Sequence, residues 1–289
     1  VGSEMCIRDR DKGGSVGYNI GNDGYSKVAF TVSTGMYDNG WAVTLSGAHT
    51  TGNGYVKGTN FEGWSYYFNI SKRISEKNQI SFNAFGAPQW HNQRSNKQLI
   101  ESYRNSPDGI KMNWDFGYRN GEIYSGAYAY NFYHKPVISF NHYYKISNNV
   151  QLNTVLYNSN GRGGGRRVYG TSINVVDGLL DFDSAIAANQ ESLTGSKTVI
   201  AAGNNSHNWW GLLSTLKSDI GKVIITTGVD ARYYKGFHFY TIEDLLGGEY
   251  FLDNRNINRP ASTPLVEGDV VNYNNYAEVL WEGLFGQVE

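Results

Sequence analysis

The sequence predicts an all-β fold: a transmembrane, antiparallel, up-and-down β-barrel, of which the chain supplies about ten strands, with long loops on one rim and tight turns on the other. Three observations predict it. Apolar and polar side chains alternate with a period of two over one segment after another. The connections between segments alternate between tight turns and long excursions, and the long ones recur at one end of the strands only. Proline is kept out of the predicted spans, as a closed sheet requires when every strand donates amides on both sides.

A short first strand falls near 14–20. In 26–35, Val28, Phe30 and Val32 oppose Ala29, Thr31 and Ser33; in 41–51, Trp41, Val43 and Leu45 oppose Ala42, Thr44 and Ser46. Trp64, Tyr66, Phe68 and Ile70 share a side with Ile80, Phe82 and Ala84 of the next segment. Ile138, Phe140, Tyr144 and Ile146 follow, then Val150, Leu152 and Leu156, then a strand at 207–218, then Val223, Ile225 and Val229. The last segment, 275–289, sets Val279, Trp281 and Phe285 opposite Glu278 and Glu282, so that the two carboxylates point inward. The turns "YDNG" (37–40), "SEKN" (75–78), "SNN" (147–149) and "DIGK" (219–222) carry residues that tolerate left-handed backbone or bond their own main chain. At the other rim a short turn (21–24) and a medium loop (52–60) precede long loops at 91–135, 161–205 and 237–274. Pro88 and Pro136 fall at strand ends and the other prolines in loops. Tyr37 and Trp41 at one rim, and Trp90, Tyr133, Trp209, Trp210, Tyr233 and Tyr234 at the other, suit the interfacial belts of a barrel.

Composition agrees and excludes other classes. The 289 residues include 35 Gly, 22 Tyr, 13 Phe and 7 Trp but only 5 Pro, and charged residues reach 18%, against roughly 25% in soluble domains. A net charge of −1 argues against nucleic-acid binding. No apolar run is long enough for a membrane-spanning helix. Residues 1–10, "VGSEMCIRDR", fit no pattern downstream and look like a translated, non-native adapter segment; they hold the only cysteine, Cys6, so thiol chemistry and disulfides are not expected of 11–289.

The stretch "TGNGYVKGTNFEGWSYYFNISKRISEKNQISFNAFGAPQWHNQR" (51–94) resembles early barrel strands of TonB-dependent outer-membrane receptors, and "GGSVGYNIGNDGYSKVAFTVSTG" (13–35) is similar to the junction after their plug domain. "GVDARYYKGFHFYTIEDLLGGEYF" (228–251) and "NNYAEVLWEGLFGQVE" (274–289) resemble their later strands and loops. The resemblance implies that 11–289 is an incomplete barrel domain, ten strands or so of an expected 22 or thereabouts (about 22 for the family), with plug and C-terminal strands outside it. It further implies location in the cell outer membrane, contact with outer-membrane lipid, a small-molecule or oligosaccharide cargo taken up by TonB-dependent transport, the TonB energy-transducing complex as partner through the missing plug segment, and a surface lipoprotein as a further partner. No catalytic residue, cofactor or metal site is expected. A soluble or surface extracellular glycan-binding or glycan-cleaving β protein remains the alternative; it would bury the apolar parity beneath a second layer.

Several groups carry two readings. "WHNQR" offers Trp90, His91, Gln93 and Arg94 as a stacking face with hydrogen-bond donors, or as an anchor for the loop. The Gly-rich "GRGGGRR" (161–167) lacks a phosphate-loop ending and reads as an external loop whose Arg162, Arg166 and Arg167 suit an anionic ligand or lipopolysaccharide. Trp114, Tyr118, Tyr124, Tyr128, Tyr130 and Asn131 suit stacking on sugars or siderophores. Asp230 and Arg232 share the inward parity and either pair with each other or the plug, or meet cargo. His49, His91, His134, His207 and His238 gather near the long-loop rim without metal-ligand spacing, and "DFD" (181–183) falls short of a calcium loop. The candidate ligand-binding set is Trp90, His91, Gln93, Arg94, Trp114, Tyr118, Arg166 and Arg232.

Overall fold

A computed structural model describes residues 11–124 and 129–289; the segment 1–10 and Tyr128 lie outside the described residues. The chain begins as a meander of β1 (Gly13–Ile20), β2 (Ser26–Ser33), β3 (Trp41–Gly52), β4 (Phe61–Arg73) and β5 (Asn78–Gly86), followed by β6 (Gln89–Asn92). An excursion then carries α1 (Ile100–Asn105), a 3-10 turn (Gly109–Lys111), β7 (Gly117–Arg119) and β8 (Glu122–Ile123). The chain returns through β9 (Tyr130–His134), β10 (Val137–Lys145) and β11 (Val150–Gly170). A second excursion holds β12 (Val175–Val176), β13 (Leu179–Asp181) and α2 (Phe182–Gln190); β14 (Thr198–Ile220) and β15 (Val223–Asp244) come next. The hairpin β16 (Phe251–Asp253) and β17 (Thr263–Leu265) precedes the final β18 (Val270–Val288).

One sheet runs β1-β2-β3-β4-β5-β10-β11-β14-β15-β18, each strand hydrogen-bonded to the next along the chain and every pair antiparallel. Its turns are as tight as their sequences require. Gly221 turns the β14–β15 hairpin at φ +70. At Gly40 the φ is +82 and an added Cβ would meet the Arg73 carbonyl oxygen at 2.5 Å, so both backbone angle and space demand glycine.

The two faces of this sheet invert the usual burial rule. Val28, Phe30, Val32, Leu45, Phe82, Ile138, Phe140 and Leu156 are exposed, whereas Asn69, Ser71, Ser81 and Asn141 on the other parity are 3%, 1%, 3% and 5% exposed. That polar face is concave, and apart from the buried Ser71 hydroxyl, which has no partner among the described residues, its amides and hydroxyls bond across strands: Asn69 Nδ2 donates to Asn83 Oδ1 (2.6 Å), Asn83 Nδ2 to Ser139 Oγ (3.2 Å) and Asn141 Nδ2 to Ser81 Oγ (3.3 Å). Thr31 and Ser46 bond likewise at 2.9 Å. Among the described residues no second layer covers the convex apolar parity of β2 to β5 and β10, which is how a membrane barrel wall is built.

The strands overrun the spans expected from sequence. β14 has 23 residues and β15 has 22; at about 3.3 Å per residue and a tilt near 45° such a strand climbs roughly 50 Å, about twice the height of an apolar band of roughly 25 Å. The loops shrink to 93–129, 171–197 and 245–269. "GRGGGRR" is therefore no loop: it lies inside β11, with Gly163 paired to Tyr133 and Asn205, and Gly165 to Asn131 and Gly203. Bare backbone is what that crossing needs, since a Cβ on Gly164 would stand 2.7 Å from the Gly203 carbonyl oxygen. Pro88 and Pro136 stand at strand boundaries, between β5 and β6 and between β9 and β10. β5 and β6 share one register against β4, β9 and β10 share one against β11, and Trp64 N still donates to Pro88 O at 2.8 Å, so each proline only interrupts a continuing strand by removing one donor.

The expected inward placement of Glu278 and Glu282 also fails. Both parities of 275–289 hold apolar residues, so pairing with β15 decides. Glu278 sits opposite Lys235 and bonds it at 2.8 Å, Glu282 sits opposite Ala231 on the convex face, and the Phe285 ring packs over the bare backbone of Gly228. The aromatic belt divides by the same alternation: Trp210 and Tyr233 pair on the convex face, Trp209 and Tyr234 on the concave one.

Above the membrane-sized region, conventional cores appear. β16 and β17 cover one face of the strand tops, burying Tyr169, Val199, Ala201, Ile242, Leu245, Phe251, Leu265 and Val271. Phe182, Ile173, Ile200 and Leu246 form a second core on the other side. β13 pairs with β7 in parallel, so the first two excursions share one small sheet. Asn189 of α2 locks the assembly: its Nδ2 donates to the carbonyls of Thr198, Leu245 and Leu246 at 2.7, 3.1 and 3.0 Å.

Candidate ligand-binding site

On the concave face, above the polar ladder, β9, β11 and β14 enclose a pocket of about 620 Å³. Register assembles it. Tyr133, Gly163 and Asn205 stand in one row across the three strands, and Asn131, Gly165 and Gly203 in the next. The three glycines leave a floor without side chains, and the flanking Asn131, Tyr133 and Asn205 supply walls. Gln93 and Ser95, at the start of the first excursion, close one side.

The lining carries Lys135, Arg166 and Arg167 and no carboxylate. Arg167 lies over the Tyr240 ring (5.5 Å) and Lys135 over Tyr133 (5.7 Å), so both cations are held against aromatic faces. Arg166 turns to Glu243 at 3.1 Å and stands 4.8 Å above Tyr130. Beside the pocket, burial, and after it the Lys135 ammonium, hold His207 below the ordinary imidazole range; its Nε2 meets Ser159 Oγ at 3.1 Å. A neutral ring there offers hydrogen bonding without adding charge. A short polar chain leads in: His91 Nδ1 to Gln89 Oε1 (2.7 Å), and Gln89 Nε2 to Asn131 Oδ1 (3.2 Å). Such a cavity, rich in donors and cations and floored by backbone, is suited chemically to an anion.

The residues singled out from sequence scatter over this frame. Gln93 and Arg166 line the pocket. His91 lies on the concave face through its bond to Gln89, while Trp90, its neighbour, points to the convex face and lines a different cleft with Arg166. Arg94 donates to the carbonyls of Ile110 (2.7 Å) and Met112 (3.1 Å) and stacks over Tyr103 (5.1 Å), fixing the first excursion. Trp114 meets Tyr103 edge-on at 4.8 Å, and Tyr118 in β7 meets Phe116 at 6.4 Å, both within that excursion. Arg232 lies lower on β15 and bonds Asp230 through Nε (2.9 Å) and a second nitrogen. The five rim histidines divide between the faces, and among the described residues no three His, Cys, Asp or Glu side chains converge as a metal site. Lys135, Tyr133 and Asn205 were missed as site residues, because distant segments bring them together and no local motif marks them, while Gly163 and Gly165 of the floor lie in "GRGGGRR", which reads as a loop in the sequence.

No protein-family model matches the sequence, and no curated protein does. Solved structures do match. The ferric-catecholate import receptor Fiu from E. coli K12, in its closed form, superposes with a TM-score of 0.58 at 10% identity, over 97% of this chain and 48% of that one. The ferric citrate transporter FecA, unliganded, matches with a TM-score of 0.57 at 10% identity over 96% of this chain and 35% of its own. BauA, the ferric preacinetobactin receptor from Acinetobacter baumannii, matches at 0.55 and 10% identity over 95% and 38%. At this identity the likeness is one of fold, and the chain spans about half or less of each of these proteins.

Proposed function

We propose, from the premise that this sheet has the fold of a TonB-dependent receptor barrel, that the chain belongs to an outer-membrane receptor that captures an anionic nutrient chelate on its concave face and imports it by TonB-dependent active transport. The observation that carries the membrane part is the inverted burial, with Val28, Phe30, Leu45 and Phe140 exposed on the outside and Asn69, Ser71, Ser81 and Asn141 buried on the inside. A soluble glycan-binding or glycan-cleaving protein would cover that apolar parity, and on β2 to β5 and β10 none of it is covered. Among the cargo classes compatible with a receptor, an iron chelate suits the pocket better than a neutral oligosaccharide, because Lys135 and Arg167 face it with no carboxylate in the lining. Three of the matched proteins are a ferric-catecholate import receptor, a ferric citrate transporter and a ferric preacinetobactin receptor, which supports the same choice.

The experiment has two arms. Folded in the presence of lipid, the chain is expected to float with liposomes; a soluble monomer that melts cooperatively without lipid or detergent would overturn the membrane reading. In detergent, ferric citrate is expected to quench tryptophan fluorescence saturably, with affinity at least tenfold weaker in the Lys135→Ala/Arg167→Ala variant, as two lost charge-assisted bonds imply. Equal binding of a neutral maltooligosaccharide, unaffected by that variant, would overturn the anionic cargo.

A further inference from the structure

The convex side of the same strands holds a second cleft of about 530 Å³, facing away from the barrel interior. Register places Glu62, Trp90, Phe132 and Gly164 in one row across β4, β6, β9 and β11, with His134 and Arg162 paired two residues along. One carboxylate organises its aromatic wall. Glu62 Oε1 accepts from Trp64 Nε1 (3.0 Å) and meets His49 Nε2 (2.9 Å), while Oε2 accepts from Trp90 Nε1 (3.2 Å). The His49 ring stacks on Trp64 at 4.0 Å, and Trp90 stacks on Tyr130 at 5.8 Å. Three ring N–H groups converge on the Glu62 carboxylate. Its charge is thus engaged in fixing rings. The other acid of the cleft, Glu243, is engaged by Arg166. Arg162 is exposed at the cleft and forms no ion pair among the described residues.

Fixed indole faces beside an available guanidinium match a sugar ring that bears a phosphate: the apolar face of the ring lies on the indoles, and the guanidinium pairs with the phosphate oxygens in a planar fork. Position selects the source of that sugar. Trp64 and Trp90 continue the parity of Phe68 and Leu45, which faces hydrocarbon lower down, and they stand where an aromatic belt meets lipid headgroups. Cargo on its way to the concave pocket would have to cross the sheet to use this cleft. We propose that the cleft defined by Trp64, Trp90 and Arg162 binds the phosphorylated sugar headgroup of a glycolipid in the outer leaflet, a ring of lipid held in register against the barrel wall. The proposal rests on the membrane reading above, and the test separates the two.

The complete chain, folded in detergent, is titrated with lipopolysaccharide, with its deacylated phosphorylated oligosaccharide, and with phosphatidylglycerol. Expected are saturable changes in tryptophan fluorescence with the first two and none with the third. Trp64→Ala/Trp90→Ala is expected to abolish the response, and Arg162→Ala to weaken it about tenfold, the loss of one charge-assisted pair. Glu62→Gln keeps the side-chain volume but frees the indoles; it is expected to weaken oligosaccharide binding while the strand circular dichroism stays unchanged, which guards against a merely misfolded double variant. No response to the oligosaccharide, an equal response to phosphatidylglycerol, or binding unchanged in Arg162→Ala and Glu62→Gln would each overturn the proposal. Flotation with liposomes is scored separately: binding can fail while flotation succeeds, and then the barrel reading stands without the headgroup site.

Discussion

The lower and upper halves of β14 obey opposite rules. Between the turn at Gly221 and Trp210 large apolar side chains stand exposed, Trp210, Leu212 and Ile220 on the convex parity and Leu213 on the other, and the strand is sheathed in no core. From Thr198 to Ala202, in the same strand, Val199, Ile200, Ala201 and Ala202 are almost wholly buried between the β16–β17 hairpin on one face and α2 on the other. The pairing with β15 continues through both halves, interrupted only by a register shift between Ile200 and Ala201. What changes is the solvent. Lipid satisfies an apolar side chain below, so only polar side chains need partners there, whereas water above makes the strand seek cover on both faces.

The comparison breaks most visibly at Phe182. It is wholly buried, packs against Ile173, Ile200 and Leu246, and meets Tyr124 edge-on at 4.9 Å. Phe182→Ala is expected to cost about 3–5 kcal/mol of the stability of the upper region, as core truncation of an aromatic does. The check is limited proteolysis: cleavage should rise steeply in 93–129 and 171–197, while the hairpins below keep their protection. Uniform loss of protection along β14 would mean that the two halves are one cooperative unit.

A charge in the lower half tests the other rule. Leu216 lies midway between the turn and Trp210, on the convex parity, opposite Leu152. Leu216→Arg is expected to destabilise the chain by about 2–4 kcal/mol in a bilayer, the cost of a cation on the lipid face near midplane. Denaturant unfolding from liposomes reads it directly. The same substitution at a water-facing site costs little, since surface changes of this kind usually stay within about 0.5 kcal/mol; a negligible effect of Leu216→Arg would therefore place this parity in water and remove the barrel wall.

The same division explains what the sequence made legible. Below Trp210, lipid on one face and partner-seeking polar groups on the other write a period of two, so the meander, the turns and the outward parity of β2 to β5 could be read residue by residue. Above it, strands covered on both faces lose the alternation, and "GRGGGRR" carries composition typical of a loop although both neighbours pair with it. In 275–289, apolar side chains occupy both parities, Val279 and Trp281 on one and Leu280 and Leu284 on the other, so the pattern held no answer and the partner strand supplied it. The pocket was the least legible part. Asn131, Gly163 and Asn205 come together only because three strands align, and Arg94, Trp114 and Tyr118, chosen for their chemistry, are used by the excursion to hold itself in place.

The smallest expected effect lies at a latch within the upper half, where β15 ends. Asp244 Oδ2 accepts from Arg119 (2.9 Å) and from the Tyr124 hydroxyl, and Oδ1 accepts from Leu246 N (2.7 Å), so one carboxylate ties the first excursion to the last turn of the sheet. Burial, and then the bond to Asp244, push the Tyr124 phenol up to about 12. A raised phenol binds its proton more tightly in the folded chain than in the unfolded one, whose tyrosines titrate near the ordinary value of about 10. The stabilisation is therefore complete below about pH 10 and is lost as pH rises toward the folded value. Asp244→Asn weakens the bonds from Arg119 and Tyr124 without removing volume, and is expected to cost about 1–2 kcal/mol in the upper region, the scale of a charge-assisted hydrogen bond. It should also bring phenolate absorbance of Tyr124 to lower pH, the difference from Tyr124→Phe isolating that one ring. A titration unchanged in Asp244→Asn would mean that burial alone holds the phenol neutral and that the carboxylate does not tie the first excursion to the top of β15 through this ring.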